Sequence, residues 1–259
     1  SNSCTVKMSA GKTVAVSVVK YPNERVDMFI AHAGGGIGDY TYTDCLEALN
    51  LSYEKGARLL ELDIVETADG VFVAAHGWEW FGEITGNLSV NSLNPMMWQD
   101  FLVQKIHNKY TPLDIHRIND WFSKHSDAIL VTDKINTPEK FANAFLYKDR
   151  LIMELFTWGA VEEANRIGIK AMPSDNLVFY APNIEQKLLD LDIKYIAIPR
   201  TKINDNKDLL KRLKNNGIKA YAFYLYAEPG TDENYVFQNE MEWIAGMYAD
   251  DLDLILNPP

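Results

Sequence analysis

The near-repetition of Gly168-Ile169-Lys170-Ala171-Met172 in Gly217-Ile218-Lys219-Ala220-Tyr221, with Asp192-Ile193-Lys194-Tyr195-Ile196 between them, limits the fold more than any other pattern in the chain. The three joints are 24 and 25 residues apart. In each, a helical stretch stops at Gly or Asp and a short apolar run begins. Gly56-Ala57-Arg58-Leu59-Leu60 has the same form earlier in the chain. Joints of this kind predict strands connected by helical crossovers, and therefore parallel strands. Strands are predicted over 27–31, 59–65, 71–75, 128–132, 151–156, 170–172, 195–198, 219–226 and 246–250. Helices are predicted over 44–55, 138–146, 160–167, 183–191, 207–215 and 234–245. About eight such units in 259 residues fit an α/β fold of the (β/α)8 TIM-barrel type. A doubly wound open sheet is the alternative, but no Gly-x-Gly-x-x-Gly stands at a first βα turn.

The rhythm breaks over 77–127, where Gly77-Trp78-Glu79-Trp80-Phe81-Gly82 and Thr85-Gly86-Asn87 are loop-like. This segment is expected to be an insertion between the second and third barrel strands of one domain spanning 1–259. Barrel chemistry collects at the C-terminal strand ends, so an aromatic-rich insertion there would wall the site. The net charge of −11 argues against a nucleic-acid partner, which needs a basic surface. No apolar run approaches the ~18 residues of a membrane-spanning helix. The start, Ser1-Asn2-Ser3-Cys4, has neither an initiator Met nor a signal core. It reads as a truncated end, which leans the location toward the periplasm or a membrane anchor. Cys45 falls in a predicted amphipathic helix and is expected buried and reduced.

Chemistry enters at Leu59-Leu60-Glu61-Leu62-Asp63-Ile64-Val65. Residues i and i+2 of a strand share a face, so Glu61 and Asp63 stand side by side among apolar neighbours. Two such carboxylates repel each other and lose hydration unless a cation lies between them. Oxygen-only ligands point to Mg²⁺ or Ca²⁺. Thr67-Ala68-Asp69-Gly70 reads as a tight turn, after which Val71–Ala75 leads into His76. Four further polar residues end or nearly end predicted strands: His32, Asp133, Glu154 and Asp250.

With these residues in order, the chain resembles the glycerophosphodiester phosphodiesterases, the metal-dependent branch of the phospholipase-C-like phosphodiesterase barrels. His32-Ala33-Gly34 is similar to that family's His-Arg-Gly, Leu46-Glu47-Ala48 and Gly56 to its first helix and stop, and Glu61-Leu62-Asp63 to its Glu-x-Asp. Thr67-Ala68-Asp69-Gly70 matches its turn, and His76-Gly77 its second histidine. The match is strong over 28–76 and weaker beyond. The chain departs from the pattern at Ala33 for Arg, at Tyr42-Thr43-Asp44-Cys45 for Pro-Glu-Asn-Thr, and at Gly77 for Asp. The third-strand Glu-x-Lys becomes Asp133-Lys134, which strand alternation puts on opposite faces unless the strand ends first. These departures mark a divergent member.

The resemblance implies a phosphoric diester hydrolase that releases an alcohol from a glycerophosphodiester-like small molecule. Glu61, Asp63 and Asp133 are then the metal ligands, with Glu154 a further ligand or a partner of Lys134. His32 and His76 form the acid–base pair, as two imidazoles suit proton transfer near neutrality. Attack by the substrate's own neighbouring hydroxyl, giving a cyclic phosphate that water opens, follows the family pattern. Lys134 and Arg200 are candidate phosphate contacts, and the amides of the run from Gly34 to Gly38 could face an anion. Trp78, Trp80, Trp158, Tyr224 and Tyr226 could shape a pocket for the alcohol. His107, His116 and His125 lack ligand spacing and are expected on the surface. The alternative is an impaired barrel that binds a phosphorylated glycan or lipid headgroup without cleaving it, a reading favoured by the lost Arg and Glu.

Overall fold

The computed structural model describes residues 26–256 together with two earlier strands, β1 (Asn2–Lys7) and β2 (Thr13–Val18). These two pair antiparallel, with Asn2 opposite Val18, and lie outside the predicted strands. The strands that follow are β3 (Phe29–Ala31), β4 (Leu59–Glu66), β5 (Phe72–Ala74), β6 (Ile129–Asp133), β7 (Leu151–Leu155), β8 (Lys170–Pro173), β9 (Tyr195–Pro199), β10 (Lys219–Phe223) and β11 (Gly246–Ala249). All but β5 form a parallel ring in the hydrogen-bonded order β8, β7, β6, β4, β3, β11, β10, β9. β8 and β9 lie alongside each other without a ladder, so the TIM barrel is nearly closed with one seam. β5 pairs antiparallel with the end of β4, Ile64 opposite Ala74.

Alternation along each strand divides the core into two layers. Ile30, Leu59, Val131, Ile152, Met172, Ala197, Tyr221 and Tyr248, one from each ring strand, meet inside the barrel. Leu60, Leu62, Leu130, Leu151, Met153 and Met247, the alternate residues, face outward into the layer shared with the helices. Burying each large aliphatic side chain contributes roughly 1.5–3 kcal/mol. The apolar plug inside the ring fixes where polar side chains can begin. His32, Glu61 with Asp63, Asp133 and Glu154 continue the inward rows of β3, β4, β6 and β7 beyond it. They therefore gather at the C-terminal mouth.

The segment from β5 to β6 holds a crossover helix and, before it, a second hydrophobic cluster. The helix Ile115–Lys124 buries Ile115, Ile118, Trp121 and Phe122 in the barrel's outer layer, as a crossover helix does. The stretch before it, with helices Trp78–Thr85 and Trp98–Leu102, builds a second cluster from Trp78, Phe81, Ile84, Phe101, Ile106 and Tyr110. That cluster packs on Val73 and Ala75 and on Cys45 and Ala48. Cys45 is buried and free, and its sulfur caps the helix Leu46–Glu54 by accepting from the Ala48 amide at 3.4 Å.

Two predicted elements end early. The strand predicted to Tyr226 stops at Phe223 because Tyr224 takes a left-handed φ of 54°. The helix predicted over 234–245 is Glu233–Asn239, and Glu240 turns its carboxylate to Arg200 at 2.7 Å instead of continuing. No helix among the described residues is long and apolar enough to cross a membrane.

Candidate active site

β4 carries the acid pair as its alternation requires, with Glu61 and Asp63 facing inward at 1% and 2% exposure. Asp63 stands directly opposite Asp133 in the β4–β6 register. One carboxylate oxygen each from Glu61, Asp63 and Asp133 lies within 4.8 Å of the others. Three like charges at this separation raise one another's proton affinity. Burial, then the charges of Asp63, Asp44 and Asp133, push the Glu61 carboxyl well above its ordinary range. Burial and Asp63 also raise Asp133, against the pull of Lys134. Burial pushes Asp63 up too, but the hydrogen bond and charge of His76, then Lys134 and His32, outweigh it and hold it below the usual value. Glu61 accepts from the Ala33 amide at 2.6 Å with Oε2, while its buried Oε1 has no partner. An orphaned carboxylate oxygen beside two more carboxylates fits a hard divalent cation.

The two histidines line the same cavity as Glu61 and Asp133, and each is held through Nδ1. His76 pairs with Asp63 Oδ2 at 3.0 Å and His32 with Asp250 Oδ1 at 3.2 Å. Nε2 remains the free ring nitrogen on both. The β4–β5 hairpin carries His76 back to Asp63, with Ala75 donating its amide to the Asp63 carbonyl at 2.9 Å. Tyr42, which the sequence reading did not single out, has its ring edge-on to both imidazoles, at centroid distances of 4.5 Å from His32 and 4.7 Å from His76.

Lys134 also reaches the site. β6 ends at Asp133, and Lys134 takes a left-handed φ of 67° that swings its side chain back toward the inward row. Its Nζ lies 3.2 Å from Asp133 Oδ2 and 3.7 Å from Asp63 Oδ1. Asp133 and Asp63 raise the Lys134 proton affinity despite the opposing effect of burial, which keeps it cationic. Glu154 is 5% exposed and accepts from Ser174 Oγ at 2.6 Å and Tyr248 OH at 2.9 Å. Burial, then Asp133, push its carboxyl up to about 8. It lies outside the three-carboxylate cluster. A cavity of about 390 Å³ is lined by His32, Tyr42, Glu61, His76, Asp133 and Lys134 together with Phe156, Asp175, Phe223 and Tyr224.

Asp44 is a second residue the sequence reading passed over. It is fully buried and accepts from the Asp63 amide at 3.0 Å, with Oδ2 unpartnered. Burial and the charge of Asp63 push its carboxyl well up. The short distance in sequence from the unusual Tyr42-Thr43-Asp44-Cys45 run to the helix start was the available signal.

Three candidates stand elsewhere. Arg200 is 5% exposed, locked by Glu228 and by Glu240 in a separate cavity that Tyr235 and Trp243 also line. Neighbouring Pro199 reaches the site cavity, but the guanidinium does not. Gly34 packs under the first helix, where its carbonyl accepts from Ser52 Oγ at 2.6 Å, and it does not line the cavity. The amides of Gly35 and Gly36 are taken by the His32 and Asp250 carbonyls at 2.7 and 2.9 Å, so they are not free to hold an anion. Gly35 is required for space: its φ is 92°, and a Cβ would lie 2.2 Å from Ser52 Oγ. Trp78 is buried in the second cluster and donates to the Glu66 carbonyl at 3.1 Å. Of the other histidines, His107 stacks on Tyr40 and His125 on Trp121, and only His116 is exposed.

No sequence-family model matches the chain, and no curated protein does. Solved structures match over most of their length. A glycerophosphodiester phosphodiesterase from Thermotoga maritima is 19% identical, with a TM-score of 0.67 over 90% of this chain and 98% of that one. One from Parabacteroides distasonis is 16% identical, with a TM-score of 0.68 over 88% and 94%. An Oleispira antarctica phosphodiesterase, solved with the product sn-glycerol-3-phosphate, is 15% identical, with a TM-score of 0.70 over 88% and 95%. The chain is thus a divergent barrel with the fold of the glycerophosphodiester phosphodiesterases.

Proposed function

We propose that this chain is a phosphoric diester hydrolase that cleaves a small glycerophosphodiester-like substrate with a divalent cation, Mg²⁺ or Ca²⁺, bound by Glu61, Asp63 and Asp133. The observation that carries this reading is that His32 and His76 line one cavity with Glu61 and Asp133, each with Nδ1 held by a carboxylate and Nε2 without a partner among the described residues. When bound, the cation would neutralise charge on the phosphoryl oxygens. The rest of the chemistry belongs to the side chains. One imidazole takes the proton from the attacking hydroxyl as its oxygen bonds to phosphorus. The other gives a proton to the departing oxygen as its bond to phosphorus breaks. Asp63 and Asp250 fix the tautomers that this requires and stabilise the imidazolium that forms. Lys134, beside Asp133 and Asp63, is placed to contact a phosphoryl oxygen.

The deciding test is turnover of glycerophosphocholine, glycerophosphoglycerol and a chromogenic phosphodiester, with and without EDTA. Cleavage of at least one, abolished by EDTA and restored by Mg²⁺ or Ca²⁺, is expected. Binding of these compounds without cleavage under any condition would replace the reading with that of a phosphate-recognising barrel.

A further inference from the structure

We propose that Tyr42 is the phosphate-gripping residue of this site, its phenol donating to a non-bridging phosphoryl oxygen in place of the guanidinium missing at Ala33; this rests on the phosphodiester reading above. Ala33 offers no side-chain donor, and its own amide is committed to Glu61 at 2.6 Å. Arg200 is locked away between two glutamates. Lys134 is then the one cation among the residues lining the cavity, and it already faces two carboxylates. A dianionic or monoanionic phosphate between two imidazoles needs another donor.

Tyr42 is held as a donor in that place. Its ring touches both imidazoles edge-on, at 4.5 and 4.7 Å between centroids. Its carbonyl accepts from the Trp80 indole at 2.8 Å, which ties it to the second hydrophobic cluster. Its neighbour Asp44 donates its amide to the Ala33 carbonyl at 3.0 Å, which fixes the other side. The backbone is left-handed at both Tyr42 (φ 54°) and Asp44 (φ 49°). Non-glycine residues adopt that region at a cost of about 1 kcal/mol or more, retained where surrounding contacts enforce it. The phenol oxygen makes no hydrogen bond to any described residue, although the side chain is half-buried. Burial, then Asp250 and Asp63, push its proton affinity up to about 12, so it is a neutral donor throughout the working range. A hydroxyl with no partner, on a ring that lines the cavity beside His32 and His76, has a phosphoryl oxygen as its natural acceptor.

The test uses Tyr42→Phe, which keeps the ring contacts and removes only the hydroxyl, with the full chain in Mg²⁺. Calorimetric affinity for inorganic phosphate and for sn-glycerol-3-phosphate is measured alongside turnover and melting temperature. The Phe variant should melt like the wild type, bind both anions about 10-fold more weakly and lose kcat/KM by a similar or larger factor, as for a hydrogen bond to a charged acceptor. Unchanged anion affinity and kcat/KM in the Phe variant would overturn the assignment, as would a wild type that binds neither anion. A wild type that binds the anions through Tyr42 yet cleaves no diester would uphold the assignment while removing the hydrolase reading. If the Phe variant melts lower, Tyr42→Trp supplies a ring with an N–H donor, and recovery of anion affinity there separates donation from packing.

Discussion

Asp63 divides its two oxygens between two partners: Oδ2 holds His76 Nδ1 at 3.0 Å, while Oδ1 faces the Lys134 ammonium at 3.7 Å. One carboxylate thus joins the three-carboxylate cluster to an imidazole, so the state of the cluster and the orientation of His76 are linked. Asp63 would help to hold a divalent cation while it also orients the His76 ring.

The cation cluster makes the first prediction. At a free concentration a hundred times Kd, a bound divalent ion stabilises the fold by about 2.7 kcal/mol, which raises Tm by about 5–10 °C for a chain of this size. Mg²⁺ or Ca²⁺ should produce that shift in the wild type and none in Asp63→Ala or Glu61→Ala. The same cluster predicts that metal-free Glu61→Gln melts no lower than the metal-free wild type, because burial and the neighbouring acids already disfavour the charged form of Glu61. Calorimetry giving wild-type affinity in both alanine variants would exclude the cluster as the ion site.

His32→Ala and His76→Ala should each lower turnover of a model phosphodiester by at least ~10². Asp250→Asn should impair turnover through His32, since its Oδ1 is that ring's Nδ1 partner. Its effect should not add to that of His32→Ala in the double variant. Near-wild-type rates in either histidine variant would remove that residue from the chemistry.

Glu154 gives a pH dependence whose sign follows from its raised carboxyl. Between the ordinary glutamate range and about 8, the folded chain keeps a proton that the unfolded chain has released. Stability from this group is therefore full below the ordinary range and falls as pH rises toward about 8. Melting temperatures of the metal-free protein from about pH 5 to about pH 8 should drop more steeply for the wild type than for Glu154→Gln. Parallel profiles would show that Glu154 does not hold the proton.

Arg200 should matter for folding and not for substrate. Removing a guanidinium buried against Glu240 leaves an acid unpaired in a half-closed cavity, at a cost of about 3 kcal/mol. Arg200→Met should lower the denaturation midpoint accordingly and leave KM for a phosphodiester within about twofold. A large rise in KM without loss of stability would return Arg200 to the phosphate.

The barrel was legible because periodicity survives local variation. The joints at Gly168, Asp192 and Gly217 each precede a ring strand, and Leu59, Glu61 and Asp63 face inward together as a two-residue repeat requires. Glu61, Asp133 and both histidines line one cavity, His76 being carried there by the β4–β5 hairpin. Tyr42 and Asp44 were hidden because their placement depends on left-handed backbone in an irregular loop, which no pattern of apolar residues reports. Arg200 misled because a strand end marks which mouth a residue joins, not which neighbour captures it. Glu228 and Glu240 come from the connection between β10 and β11, far away in sequence. The glycine run misled for the opposite reason: its lack of side chains serves close packing on Ser52 and Asp250.

The left-handed residue after β6 has a consequence for how such chains are related. A strand-end motif written with fixed spacing treats an adjacent acid and lysine as a deletion that breaks the pattern. Here a single dihedral, φ at Lys134, absorbs that deletion and returns the ammonium to the same acids. The ammonium thus reaches the acid row although the letter spacing differs. Comparison by shape then finds a shared fold where comparison by string finds no match.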